Sequence, residues 1–166
     1  MQIELSVQDH NWNKLGVAAL VEEACAATLA HQGLDSDLVE IGILACDDAK
    51  IAVLNADFRG KATPTNVLSW PSEERGAQVP GGMPKAPGLG FDGMIELGDI
   101  AISFDTCDAE ARAAGKPLRD HATHLIVHGL MHLLGYDHIS DPDAALMERL
   151  EAEILGKLGL NDPYRE

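Results

Sequence analysis

The stretch HGLMHLLGYDH, residues 128–138, constrains this chain more than any other. His128 and His132 stand four apart in an apolar run, so a helix there stacks both rings on one face, one turn apart. Gly135 follows, a residue suited to the left-handed conformation that ends a helix and swings the chain back. His138 then arrives from the turn. The chain must therefore build a helix apolar enough to be packed, stop it sharply at Gly135, and keep one edge free for imidazoles.

Two imidazoles a turn apart reach one zinc ion at about 2.0–2.1 Å each, and His138 supplies a third ligand. The spacing matches the H-E-x-x-H-x-x-G-x-x-H pattern of zinc proteases at every position except the glutamate, where this chain has Gly129. In the proteases that glutamate relays a proton during peptide cleavage. Glycine cannot, so peptide hydrolysis by that route is disfavoured. Three protein ligands leave a coordination position open, which marks a catalytic rather than a closed structural site. His124 shares the helix face but lies eight residues from His132, roughly 12 Å along the axis, too far for both to bind one ion. It reads as a residue that orients a ligand, binds substrate or packs.

A metal site without its own base suits a substrate that brings its own nucleophile. RNA does, because its 2′-hydroxyl lies beside the scissile phosphodiester. A metal that polarises a phosphoryl oxygen, with a cation to balance charge, meets the need. The candidate cations lie in LNADFRGKATPTNVLSW, residues 54–70, where Arg59 and Lys61 follow a predicted helix and precede a strand. An arginine fork matches phosphate oxygens geometrically.

Length and composition bound these readings. At 166 residues and 46% hydrophobic content, the sequence suits one domain spanning 1–166 with a sizeable core. No apolar run approaches the length of a membrane span, and the beginning MQIELSVQDH reads as an alternating strand rather than an export signal, so a cytoplasmic protein with no membrane partner is expected. Cys25, Cys46 and Cys107 are an odd count with no C-x-x-C pair, which excludes a disulfide framework and a thiolate metal site. Cys25 and Cys46 read as core residues, and Cys107, near a helix start, as the one placed for exposure. The net charge of −15 opposes non-specific binding to nucleic acid. Any RNA must enter a local positive groove.

Along the chain, 3–7, 38–46, 66–70 and 95–103 read as strands, the third stopped by Pro71. Helical patterns cover 14–31, a segment from Asp47 as N-cap to Phe58, 106–115, 118–134, and a last helix opened by Ser140. Residues 71–94 hold most of the glycine and proline and read as a mobile loop. Strands and helices mix without regular βαβ alternation, which suggests an α/β or α+β sheet with helices packed on it.

LNADFRGKATPTNVLSWP, IELGDIAIS, HATHLIVHGLMHLLGYDH and the ending GLNDPY, in that order, resemble the YbeY family of bacterial rRNA-maturation proteins. The resemblance implies an α+β fold with a small mixed sheet and a zinc-dependent, single-strand-specific endoribonuclease acting in small-subunit ribosomal RNA maturation and ribosome quality control. It makes His128, His132 and His138 the ligands of one zinc ion and Arg59 the functional arginine, with Lys61 and His124 as substrate-binding candidates. Single-stranded and ribosomal RNA are the implied partners, presented by ribosomal or ribosome-assembly proteins. Two positions depart from the family pattern: Asn66 stands where aspartate is usual and Ala62 where an acidic residue is common. Two rival readings remain at this stage. One is an assembly factor with a structural zinc; the other is a peptidase drawing its base from Asp137 or Glu96.

Overall fold

The computed structural model describes residues 1–164. Strands β1 (Gln2–Val7), β2 (Val39–Cys46), β3 (Val67–Pro71) and β4 (Ile95–Ser103) form one sheet in the order β1-β2-β4-β3. β1, β2 and β4 are parallel, and β3 runs antiparallel to β4. The sheet is thus small and mixed, and with its helices the fold is α+β, as expected.

Parallel strands need crossovers. The first is built from α1 (Asn11–Lys14) and α2 (Val17–His31). The periodicity reads these as one helix from residue 14, but the chain turns at Gly16, with φ +70°. α3 (Asp48–Arg59) follows β2 and is capped as predicted, Asp47 Oδ1 accepting from the Lys50 amide at 2.9 Å. Pro71 does not stop β3; it stays in register with Gly98. β3 is an edge strand, so the missing proline N–H removes no ladder bond.

α4 (Phe104–Ala114), α5 (Leu118–Leu133) and α6 (Asp141–Lys157) complete the chain. Ser140 caps α6, its Oγ accepting from the Asp143 amide, with Pro142 in the first turn. One side of the sheet carries the main core, in which Trp12, Leu20, Leu29, Ile126, Leu130 and Ile154 are buried with Leu97 and Ile102. A smaller cluster of Ile51, Cys46, Leu68 and Ala101 lies under α3. Cys107 is buried, contrary to the exposure expected for it, and its thiol is pushed up by burial first and then by the carboxylates of Glu110 and Asp48. It is not an activated nucleophile. Residues 72–94 contain no helix or strand. Their start is nonetheless pinned rather than loose: Arg75, only 3% exposed, donates to Leu133 O at 2.8 Å, Ser72 Oγ at 3.0 Å and Glu96 O at 3.2 Å.

Candidate metal centre

α5 lies against the sheet and is contacted by α2, α4 and α6. Ala122, Leu125, Ile126, Val127, Gly129, Leu130, Met131 and Leu133 are all buried. His124, His128 and His132, spaced by four, form a partly open edge of this core helix. The helix ends as the sequence predicts. The Gly135 amide donates to His132 O at 3.0 Å and the Tyr136 amide to Met131 O at 3.1 Å, the bond pair of a Schellman motif. Gly135 has φ +102°, and a Cβ there would lie 2.6 Å from the Arg75 carbonyl oxygen. Position and conformation both require glycine.

This turn delivers His138 beside the helix. Ring centroids are 4.5 Å apart for His128 and His132, 5.1 Å for His132 and His138, and 5.5 Å for His128 and His138. One ligand nitrogen from each of the three falls within 4.8 Å of the others.

Tautomers decide what these nitrogens can do. His128 Nδ1 faces Glu151 Oε2 at 2.9 Å, and His132 Nδ1 faces the Tyr136 carbonyl oxygen at 2.9 Å. A carboxylate and a carbonyl only accept, so each Nδ1 carries the proton and each neutral ring keeps its lone pair on Nε2. Those two Nε2 atoms face each other at 3.0 Å. Two lone pairs at that distance repel unless a cation lies between them. Such a donor set fits a metal ion held by imidazoles whose other nitrogens are fixed by acceptors. Burial, together with neighbouring His128 and His138, lowers the His132 pKa to about 4, so this ring stays neutral near neutral pH.

Glu151 was not among the residues singled out from the sequence. It is fully buried and takes three contacts: His124 Nε2 at 2.8 Å, His128 Nδ1 at 2.9 Å and the Tyr164 hydroxyl at 2.7 Å. Burial alone would raise its pKa. The hydrogen bonds from His124, His128 and Tyr164 outweigh burial and hold the carboxyl down at about 2. The signal was present in the α6 stripe, where Glu151 interrupts Met147, Leu150, Ile154 and Leu155. A carboxylate in the middle of an apolar face needs a buried partner.

The other candidates separate by position. Arg59, the last residue of α3, lines one cleft of about 730 Å³ together with His128, His132, His138, Ser69 and Asn66. Among the described residues no carboxylate pairs with Arg59, whereas Arg75 is committed to the loop. Lys61 is exposed and does not line this cleft. His124 borders a different recess and spends Nε2 on Glu151 and Tyr164, while its Nδ1 is buried without a partner. Of its three sequence readings, orienting a ligand fits this geometry, and binding substrate in the cleft does not. Asp137 lines the cleft but accepts from the His138 amide at 2.8 Å, as a turn residue does. Glu96 lies in a separate acidic recess with Glu4, Glu40 and Asp99. Glu96, outside the histidine cleft, is not placed as a protease base.

Asn66 shows why one departure from the family pattern is accommodated. Its amide nitrogen donates to Glu110 Oε1 at 3.1 Å, and Glu110 also holds His121 Nε2 at 2.9 Å. Aspartate there would set two carboxylates against each other.

The family described as Endoribonuclease YbeY matches residues 2–159. The chain is 60% identical over 164 residues to the Endoribonuclease YbeY of Ruegeria pomeroyi, covering 99% of this chain and 98% of that protein. It is 54% identical to the same-named protein of a Jannaschia species, over 99% of this chain and 100% of the relative. The fold also resembles the solution structure of a Thermotoga maritima protein, with a TM-score of 0.56 at 21% identity, covering 99% of this chain and 100% of that one. Sequence match across nearly its whole length places this chain in the endoribonuclease YbeY family.

Proposed function

We propose that this chain is a zinc-dependent endoribonuclease that cuts single-stranded RNA, in a single domain that holds one ion on His128, His132 and His138. In the cytoplasm it acts in 3′-end maturation of small-subunit ribosomal RNA and in ribosome quality control. The observation that carries the metal reading is the pair of acceptor nitrogens, His128 Nε2 and His132 Nε2, facing each other at 3.0 Å. Imidazole donors suit zinc among the common metals. A second cluster of His124, His128 and Glu151 shares His128 with the first, and Glu151 already takes three contacts, which favours one ion over two.

Bound there, zinc supplies Lewis-acid polarisation of a phosphoryl oxygen. The chain's own residues do the rest. Glu151 and the Tyr136 carbonyl fix two imidazole tautomers, and Arg59 offers a guanidinium fork to the phosphate from the same cleft. RNA brings its 2′-hydroxyl as nucleophile: its oxygen would bond to phosphorus as the P–O5′ bond breaks. The 2′ proton leaves to solvent and solvent protonates the 5′ oxygen, with no base at Gly129. We assign Lys61 to the flanking strand outside the cleft wall and His124 to holding Glu151. The cleft wall also carries Glu73, Glu74, Asp137 and Asp143, so the metal charge is needed to draw a phosphate in. With a net charge of −15 on the whole chain, we assign presentation of the RNA to ribosomal or ribosome-assembly proteins.

The test is a pair of substitutions with different signatures. His132→Ala should lose both zinc and RNA cleavage. Arg59→Ala should keep zinc and lose cleavage by about a hundredfold, the usual effect of deleting one charge-stabilising donor. An Arg59→Ala protein that cuts RNA at the full rate contradicts this assignment. A cleavage-dead variant that still restores rRNA processing favours an assembly role.

A further inference from the structure

We infer that Phe58 forms a nucleobase-stacking subsite on the wall of the histidine cleft, for a base beside the phosphate that Arg59 holds. The inference rests on the endoribonuclease reading above. The chain has three phenylalanines, two tyrosines and two tryptophans, and most are already committed. Trp12 and Tyr136 are buried, and Phe104 packs edge-on against Trp12 with centroids 5.2 Å apart. Tyr164 is bonded to Glu151, and Phe91 lies outside the cleft lining. Phe58 is different: it lines the cleft with Arg59 and the three histidines, yet is 48% exposed.

The ring is also held in place. Trp70 on β3 meets it edge-to-face, with centroids 5.4 Å apart and planes at 67°. An exposed aromatic steadied on one side and next in sequence to a free guanidinium is the pairing that single-strand readers use: the ring stacks a base while the cation takes the adjacent phosphate. A base in a duplex has both faces covered by its neighbours. Stacking on Phe58 therefore requires an unpaired strand, which gives the cleft a physical reason to prefer one. A protein partner's side chain is the other aromatic or apolar group that such a ring attracts, but the metal-binding histidines and Arg59 in the same cleft favour a phosphate-bearing ligand.

The experiment uses the full-length, zinc-loaded protein and a short single-stranded oligoribonucleotide carrying 2-aminopurine near its cleavage site. Phe58→Leu keeps apolar contact with Trp70 but removes the π face; Phe58→Tyr restores it. Phe58→Leu should raise KM about tenfold, lower kcat less, and lose the fluorescence change of the stacked base, while Phe58→Tyr recovers both. A second measurement does not depend on the variant's stability. An abasic nucleotide at the stacked position should raise KM in the unsubstituted protein by a similar factor and add little in Phe58→Leu. Equal KM and fluorescence for Phe58→Leu and the unsubstituted protein overturn the subsite while leaving the nuclease reading intact. Failure of the unsubstituted, zinc-loaded protein to cut RNA overturns both. A Phe58→Leu defect seen only on ribosomal particles, and not on bare RNA, overturns the subsite in favour of a protein contact.

Discussion

Gly129 shows how one missing side chain sets the chemistry apart from that of a zinc protease. The spacing around it is that of the proteases, and a Cβ here would be directed at the sheet. A Cβ at 129 would sit 3.2 Å from Ile100 Cγ2 and 3.2 Å from Ser69 Oγ, and Ser69 Oγ donates to the Gly129 carbonyl at 3.2 Å. The glycine lets α5 lie close against β3 and β4, and a glutamate would start toward the sheet. Gly129→Ala gains about 1 kcal/mol of helix propensity but meets contacts that cost about 1–3 kcal/mol. The expected outcome in denaturant unfolding is a net loss of about 1 kcal/mol for alanine, with a larger loss for glutamate. A Gly129→Glu protein as stable as the parent contradicts this packing account. The sequence marked Gly129 as the absence of a base. Which elements pack against it was not legible, because nothing along the chain says that residues 69 and 100 lie opposite residue 129.

At the scale of elements, the centre depends on how α6 and the α5 turn brace α5. His128 is fixed by Glu151 from α6, and His132 by the Tyr136 carbonyl. Tyr136 is itself tied to Gln32 at the end of α2, its hydroxyl donating to Oε1 at 2.7 Å. The meeting of His128, His132 and His138 was readable from spacing, since H-x3-H with a helix-ending glycine is a local pattern. Their supports were not, since Glu151 and Gln32 reach the site only through tertiary packing. Boundaries failed for similar reasons: Gly16 splits a run that looks like one helix, and Pro71 stays in β3 because β3 is an edge. Glu151→Gln removes the charge and leaves one amide donor facing a ring nitrogen, so the His128 tautomer is no longer enforced. Zinc affinity, measured by competition with a chromogenic chelator, should fall about 10–100-fold. Unchanged affinity would mean that Glu151 braces α6 without acting on the metal.

Over the whole molecule, acids gather in one recess, Glu4, Glu40, Glu96 and Asp99, whose lining has no basic side chain, while the main cleft mixes Arg59, Arg75 and three histidines with Glu73, Glu74, Asp137 and Asp143. Composition gave the sign of the body, −15, but not where the acids gather. That needs the sheet order, which brings β1, β2 and β4 side by side. Among the described residues no helix is long and apolar enough to cross a membrane. The proposed nuclease turns on one cation held between imidazoles in that cleft. Its most direct test is a zinc titration of chelator-stripped protein, with metal content and cleavage of single-stranded RNA measured on each sample. Cleavage should be absent in the stripped protein, rise in proportion to bound zinc, and level off at about one ion per chain. Full-rate cleavage by protein with zinc below detection would contradict it.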